Sequence, residues 1–283
     1  MTKGYLLEKL TWPQAREAFK ETTVVVIPTG SNEQHGPHLP TGTDWIVARE
    51  LARRVSERSK VIVTPILPFG YAKYHTGFPG TMALQEETLQ HALIDVCEDL
   101  LKYGTTHILF VNGHGGNHGP LKKAGEWLRE RCIPASVASW WEMATIADPS
   151  YNMIGHADYI ETAAMLAIDP ALVDLQVAKN HKNRSLTPAL QLDNLGVVRF
   201  KGHTLMINGV MTDVTVTGDM LEYGESAAEN YDIEPTTASA EMGNKILNSL
   251  ADYLAEFIEE FRKVKFPPVG EEGPAAELRK QKK

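Results

Sequence analysis

Cysteine is almost missing from this 283-residue chain: Cys97 and Cys132 are the two, far apart in the sequence. Two distant cysteines exclude a disulfide framework and predict buried thiols in a reducing, cytoplasmic setting. Long apolar runs are missing as well, and no stretch of about eighteen apolar residues is there to span a bilayer. Met1 to Leu10 mixes charges with apolar residues and has no small-residue cleavage site, so no signal peptide is expected there. Positive charge is scarce. Lys plus Arg is 28 against 36 for Asp plus Glu, giving a net charge of −8 and a pI of about 5.7. Without a basic stripe, that balance speaks against nucleic acid or an anionic membrane as partner. The basic cluster Lys179-Asn180-His181-Lys182-Asn183-Arg184 reads as a solvated loop, or as a contact for an acidic substrate or a neighbouring subunit.

What is present is the composition of an ordinary globular chain. Hydrophobic residues make up 43%, enough for a sizeable core without metal or disulfide staples. Thr11 followed by Trp12 and Pro13 predicts a capped helix to about Lys20. Val24 to Ile27 reads as a buried strand stopped by Pro28, and Trp45 to Arg58 as an amphipathic helix. Val61 to Val63 reads as a strand, and Glu86 to Tyr103 as a helix ended by Gly104. His107 to Val111 and Ala135 to Trp140 read as strands on either side of a helix, Pro120 to Arg131. Ala163 to Ile168 and Thr236 to Val264 are helical, whereas 171–235 is a mixture of loops and short strands. Alternating strands and helices with short links predict an α/β fold, a compact three-layer sandwich around a mostly parallel sheet. Residues 1–264 then form one domain, and 265–283 a flexible charged tail. In such sheets, sites gather at the carboxyl ends of the strands.

Three clusters of histidine and carboxylate fall at those ends. The first is Gly30-Ser31-Asn32-Glu33-Gln34-His35-Gly36-Pro37-His38, with Thr43-Asp44 beyond it. Glu33 and His35 are two residues apart, so in an extended segment their side chains leave on the same side. Carboxylate and imidazole together suit Zn²⁺, Mn²⁺ or Fe²⁺. Asp44, just ahead of a helix, reads either as an N-cap or as a ligand able to bridge two metals. The second cluster is Asn112-Gly113-His114-Gly115-Gly116-Asn117-His118, where glycines allow a tight turn and a close approach. It reads as an anion-binding loop, a sharp turn with a surface histidine, or a cradle for His114 as a ligand. No Walker lysine follows, and the spacing is not that of a dinucleotide-binding loop. The third is Gly155-His156-Ala157-Asp158 with Ile160-Glu161-Thr162, in which Glu161 could simply face a helix dipole. Each residue has a structural reading on its own. Three such clusters at three strand ends make coincidence the weaker account.

These motifs, with Phe78-Pro79-Gly80-Thr81 between the first and second, resemble the creatininase family of metal-dependent amidohydrolases. The resemblance runs in order from Leu10 to about Leu175, with a weaker match at Gly218-Asp219 and the last helix. It implies a compact α/β fold, a homohexamer and two divalent metal ions per chain (Zn, Mn or Fe). It further implies that Glu33, His35, Asp44 and His114 bind metal, with Asp44 bridging and Glu161 completing the shell of the second metal. His156 and Glu161 become the catalytic candidates, His156 acting near the leaving group. His75, Trp141 and Asn117 become candidates for contact with a small-molecule substrate, with Asn112 and Asn32 as further residues able to orient ligands. Two departures stand out. Creatininase has a glutamate ligand two residues after the histidine matching His114, where this chain has Gly116, and a tryptophan where this chain has Asn152. Both argue against creatinine as substrate. Family members with glycine-rich loops act on formamides, small peptides or a cyclic diketone. The expectation is hydrolysis of a small cyclic amide or formamide by metal-activated water, with His156 handling the proton. Hydrolytic C–C opening of a cyclic diketone is the alternative, and a metal-stabilised binding protein without catalysis is a third reading.

Overall fold

The computed structural model describes residues 4–151, 155–178, 185–194, 196–215, 218, 220–221 and 234–269. Asn152, the basic cluster 179–184, Asp219 and the tail from 270 onward lie outside the described residues. In chain order the elements begin β1 (Tyr5–Leu6), α1 (Trp12–Glu21), β2 (Val24–Thr29), α2 (Thr43–Arg58) and β3 (Ile62–Val63). They continue with α3 (Glu86–Lys102), β4 (His107–Asn112), α4 (His118–Glu130), β5 (Ala135–Ser139), β6 (Gly155–His156) and α5 (Tyr159–Ile168). Then follow β7 (Gln191–Asn194), β8 (Val197–Phe200), β9 (His203–Met206), α6 (Met211–Val214), β10 (Met220–Leu221) and α7 (Ala240–Phe261).

Strands β1 to β5 form one sheet in the order β1-β3-β2-β4-β5, and every pairing is parallel. Parallel strands covered on both faces read as continuous apolar runs, and alternate residues serve opposite layers. Val24, Val26, Val63, Leu109 and Val111 pack with α2, α5 and α7. Val25, Ile27, Ile62, Ile108 and Phe110 pack with α1, α3 and α4. The three-layer α/β sandwich is therefore the observed fold. Cys97 lies buried within the second of these layers, where burial pushes its thiol up to about 12. Cys132 is half-buried, in a left-handed turn (φ 62°) after α4.

Several boundaries differ from expectation for local reasons. β2 runs through Pro28 to Thr29 because the proline's missing N–H faces the side where β3 has already ended. Its carbonyl still accepts from Leu67 N–H there. α2 begins at Thr43, two residues early, so Asp44 sits inside its first turn. α5 begins at Tyr159, not Ala163, because Asp158 caps it by accepting from the N–H groups of Ile160 and Glu161. α7 is capped by Ser239, which accepts from Met242 N–H, and so starts later than Thr236. Beyond α7, Arg129 lies 4.7 Å over the Phe266 ring and donates to the Pro267 carbonyl.

Two glycines let the strand ends and α2 meet through main chain alone. A Cβ on Gly30 would stand 2.5 Å from Trp45 Cα, and one on Gly113 would stand 2.3 Å from the Asp44 carbonyl oxygen. The carboxyl ends of β2 and β4 are thereby pressed against the first turn of α2. β7, β8 and β9 form a separate antiparallel sheet, and residues 207–209 leading out of it reach over those same strand ends.

Candidate metal centre

The loop after β2 carries Glu33 and His35, the first turn of α2 carries Asp44, and the turn after β4 carries His114. β6 supplies His156 and the first turn of α5 supplies Glu161. All six converge. His35 Nε2 lies 2.9 Å from Asp44 Oδ1 and 3.7 Å from Glu161 Oε2. His114 Nδ1 lies 3.1 Å from Glu33 Oε2 and 3.2 Å from Asp44 Oδ2. Asp44 thus turns one oxygen to each imidazole and makes no capping bond to α2. Its side chain faces the imidazoles and not the main chain of the helix.

His35 and His114 share a second feature. His35 Nδ1 lies 3.1 Å from the Glu33 carbonyl, and His114 Nε2 lies 2.9 Å from the Tyr71 carbonyl. Each ring therefore spends one N–H on a main-chain oxygen and aims its other nitrogen at the carboxylates. That is the support a metal-binding imidazole commonly has. Asn112 Oδ1 accepts from His114 N–H and steadies the turn from beneath.

Charge is concentrated here. Burial alone would push the His35 imidazolium down, but the carboxylates of Asp44 and Glu161 hold it well above its usual range. His114 is likewise desolvated and is held well above by Glu33 and Asp44. Against burial, the two rings keep the Asp44 carboxyl well below the usual carboxylate range. His75 goes the other way, pushed well down by burial and then by the neighbouring imidazoles His156 and His114. His156 is lowered by burial and by His35. Burial also raises Asp158 to about 7, with the Glu161 charge adding to it.

A cation fits this donor set. Both carboxylate oxygens of Glu33 and Oδ2 of Asp44 are buried and accept no hydrogen bond, although imidazole nitrogens stand 3.1–3.2 Å away. Buried anionic oxygens without donors are costly unless a positive ion meets them. Three sets of donors have their ligand atoms within 4.8 Å of one another: Glu33/Asp44/His114, His35/Asp44/Glu161 and Glu33/His35/His156. The first two share Asp44. Mixed imidazole and carboxylate donors suit zinc or manganese.

A cavity of about 440 Å³ opens over these groups. Glu33, Asp44, His114 and Glu161 are at its floor, Tyr74, His75 and Trp141 at its sides, and Ile207, Asn208 and Gly209 at its rim. His75 Nε2 is 3.1 Å from Glu33 Oε1. Asn117 does not line the cavity; it is buried beneath, accepting from Tyr71 N–H and donating to the Gly30 carbonyl. Asn32 donates to the Gly80 carbonyl, away from the floor. Sequence reasoning passed over Tyr74, whose ring stacks on His114, and Gln34, which touches both His75 and His156. Tyr74 adjoins His75 in sequence, and Gln34 sits between Glu33 and His35; that adjacency was the available signal.

Residues 8–258 match the family model described as creatininase, creatinine amidohydrolase. The chain belongs to the creatininase family. Among relatives, it is 26% identical to a 3-dehydro-scyllo-inosose hydrolase of Thermotoga maritima, over 94% of this chain and 87% of that one. It is 28% identical to a mycofactocin precursor peptide peptidase of Mycolicibacterium smegmatis, over 88% and 89%. It is 29% identical to a creatinine amidohydrolase of Pseudomonas putida, over 66% and 81%. A crystal structure of creatinine amidohydrolase shares the fold, with a TM-score of 0.74, 24% identity and coverage of 93% of this chain and 100% of that one. A structure titled creatininase Mn gives a TM-score of 0.70 at 25% identity, over 91% and 99%. At Gly116, where the resemblance sets this chain apart from creatininase, the local geometry is tight. A Cβ there would stand 2.1 Å from the Tyr71 carbonyl and 2.6 Å from His114 Nε2. No side chain fits at that position as the main chain stands, and the carboxylate nearest His35 besides Asp44 is Glu161, from α5.

Proposed function

We propose that the protein is a dinuclear metal-dependent hydrolase acting on an amide-type carbonyl of a small molecule. The observation that carries this reading is the pair of three-donor sets sharing Asp44. Glu33, Asp44 and His114 would hold one ion, and His35, Asp44 and Glu161 the other, with Asp44 between them. When bound, such a pair lowers the pKa of water toward neutrality and polarises a carbonyl oxygen.

This chain's own side chains do the rest. His156, lowered by burial and hence neutral near pH 7, takes a proton from the attacking water at Nδ1 and returns it to the departing nitrogen. Trp141 and Tyr74 bracket the substrate, and His75 steadies Glu33 from the opposite side. Asn117 acts from beneath, holding the Gly30 and Tyr71 main chain that carries the floor. One domain over residues 1–264, a cytoplasmic location and a homohexamer complete the proposal; sedimentation of the purified chain tests the last.

The reaction test is product analysis on the zinc- or manganese-loaded protein with cyclic amides, formamides, short peptides and a dehydro-inosose. Amine release supports C–N hydrolysis. His35→Ala and His114→Ala with metal content and turnover both unchanged would sink the reading. A second reading, hydrolytic C–C opening of a cyclic diketone, draws on the relative named as an inosose hydrolase, which aligns over nearly the whole chain. It uses the same residues, with His156 protonating carbon; ring opening of the inosose without amine release would select it.

A further inference from the structure

Gln34 is buried between His75, which none of the donor sets includes, and His156, which the two sets sharing Asp44 leave for proton work. Its side-chain Oε1 accepts from Gly36 N–H at 3.0 Å, which orients the amide and turns its NH₂ inward. That nitrogen lies 2.8 Å from His75 Nδ1, 2.9 Å from the Gly218 carbonyl and 2.9 Å from His156 Nε2. His156 Nε2 also lies 2.7 Å from the main-chain carbonyl of Gln34 itself.

The hydrogens can be counted. The amide nitrogen has two to give and no lone pair to accept with. If His156 Nε2 were bare, its lone pair would face the Gln34 carbonyl lone pairs at 2.7 Å, a repulsive contact. A proton on that nitrogen turns the contact into a hydrogen bond. The two amide hydrogens then go to His75 Nδ1 and the Gly218 carbonyl. Each of the three hydrogens then has an acceptor, and the 2.9 Å approach of the amide nitrogen to His156 Nε2 is a side contact between two donors rather than a fourth bond.

We propose that Gln34 is the positioning residue that sets the tautomers of both histidines. Its side chain holds His75 with Nδ1 bare, so that the ring's one hydrogen sits on Nε2, near Glu33 Oε1 but not hydrogen-bonded to it, and its main-chain carbonyl holds His156 with Nε2–H outward. His156 Nδ1, 3.9 Å from Glu33 Oε1, is therefore presented to the site as a bare nitrogen ready to accept a proton. Gly218 is part of the device. It has φ +88°, and a Cβ there would stand 1.9 Å from Gln34 Oε1, so only glycine lets the main chain close over the amide. This inference deepens the hydrolase reading but is tested without turnover.

The test is a long-range ¹H–¹⁵N correlation spectrum of the full chain with ring-¹⁵N histidine, recorded above neutral pH, metal-free and zinc-loaded. His75→Asn and His156→Asn spectra assign the two rings. The expected parent pattern is a bare Nδ1 on both. Gln34→Glu offers an acceptor in place of the donor, so His75 should reverse to Nδ1–H while His156, held by main chain, keeps its tautomer. Gly218→Ala should displace the amide and leave His75 a mixture, and it serves as the second variant if Gln34→Glu does not fold. Nδ1–H on either ring in the parent, or an unchanged His75 in both folded variants, overturns the proposal. Absence of hydrolysis with the tautomers as expected would count against the hydrolase reading alone.

Discussion

Asp44 Oδ2 lies 3.2 Å from His114 Nδ1 and yet accepts no hydrogen bond from it. The two atoms are neighbours arranged around a shared point rather than donor and acceptor. With Oδ1 turned to His35, Asp44 belongs to two of the three donor sets, whereas Glu161 belongs to one. Asp44→Ala should therefore strip both ions, and Glu161→Gln should lower metal content to about half. Metal per chain by mass spectrometry after gel filtration without chelator decides it. Equal losses in the two variants would remove Asp44 from its shared position.

Metal uptake should compete with protons. His35 and His114 are held well above the usual imidazole range by the carboxylates around them, and each must lose its site-facing proton to bind an ion. Affinity should rise with pH throughout the range in which those rings are protonated. Titration calorimetry in two buffers of different ionisation enthalpy should report proton release on zinc binding. A pH-independent affinity with no release would contradict the charge arrangement described.

Gly116→Ala should weaken the same site from behind. The added methyl meets the Tyr71 carbonyl, which cannot withdraw, and the His114 ring, which can. Overpacking of this kind costs about 1–3 kcal/mol. The displaced ring should also lower zinc affinity. Gly125→Ala, inside α4 with its Cβ meeting nothing within 4 Å, is the control: it should leave zinc affinity unchanged and raise stability by about 0.5–1 kcal/mol.

His38 gives an acid-stability prediction. Its Nε2 lies 3.0 Å from Thr162 Oγ1, and burial lowers its pKa to about 4. Below the unfolded value of about 6.5 the unfolded chain takes up a proton the folded chain refuses, so stability falls as pH drops from about 6.5 to 4. The largest contribution is about 3 kcal/mol, from the difference between those two values. Urea midpoints of metal-free protein against pH should be steeper for the parent than for His38→Asn over that window. Parallel curves would remove His38 from the account.

Much of the sheet was legible because β2 and β4 are buried on both faces and carry unbroken apolar runs. The donor sets were legible because each lies directly after a strand or at the head of a helix, where sequence order and space coincide. Asp44 stayed ambiguous in sequence, since a carboxylate near a helix start satisfies a capping rule as well as a ligand rule. Asn117 misled for the opposite reason: it neighbours His114 in sequence but turns below the floor to hold main chain. Gln34 and Gly218 could not be paired by any local pattern, because 184 residues separate them and what joins them is a single hydrogen bond. The rim from Ile207 to Gly209 was equally hidden, since short antiparallel strands in polar sequence leave no periodic signal.

The contacts of Gly30 and Gly113 with α2 have a consequence for how such an enzyme can change. With no side chain between strand ends and helix, the spacing of the ligands is set by peptide units, which have no rotamers to adjust. The floor is in this sense a casting rather than an assembly. The rim leads out of a separate small sheet whose strands, among the described residues, share no ladder with the main one. A lineage can therefore redraw what the cavity admits, residue by residue, while the chemistry beneath is inherited unaltered.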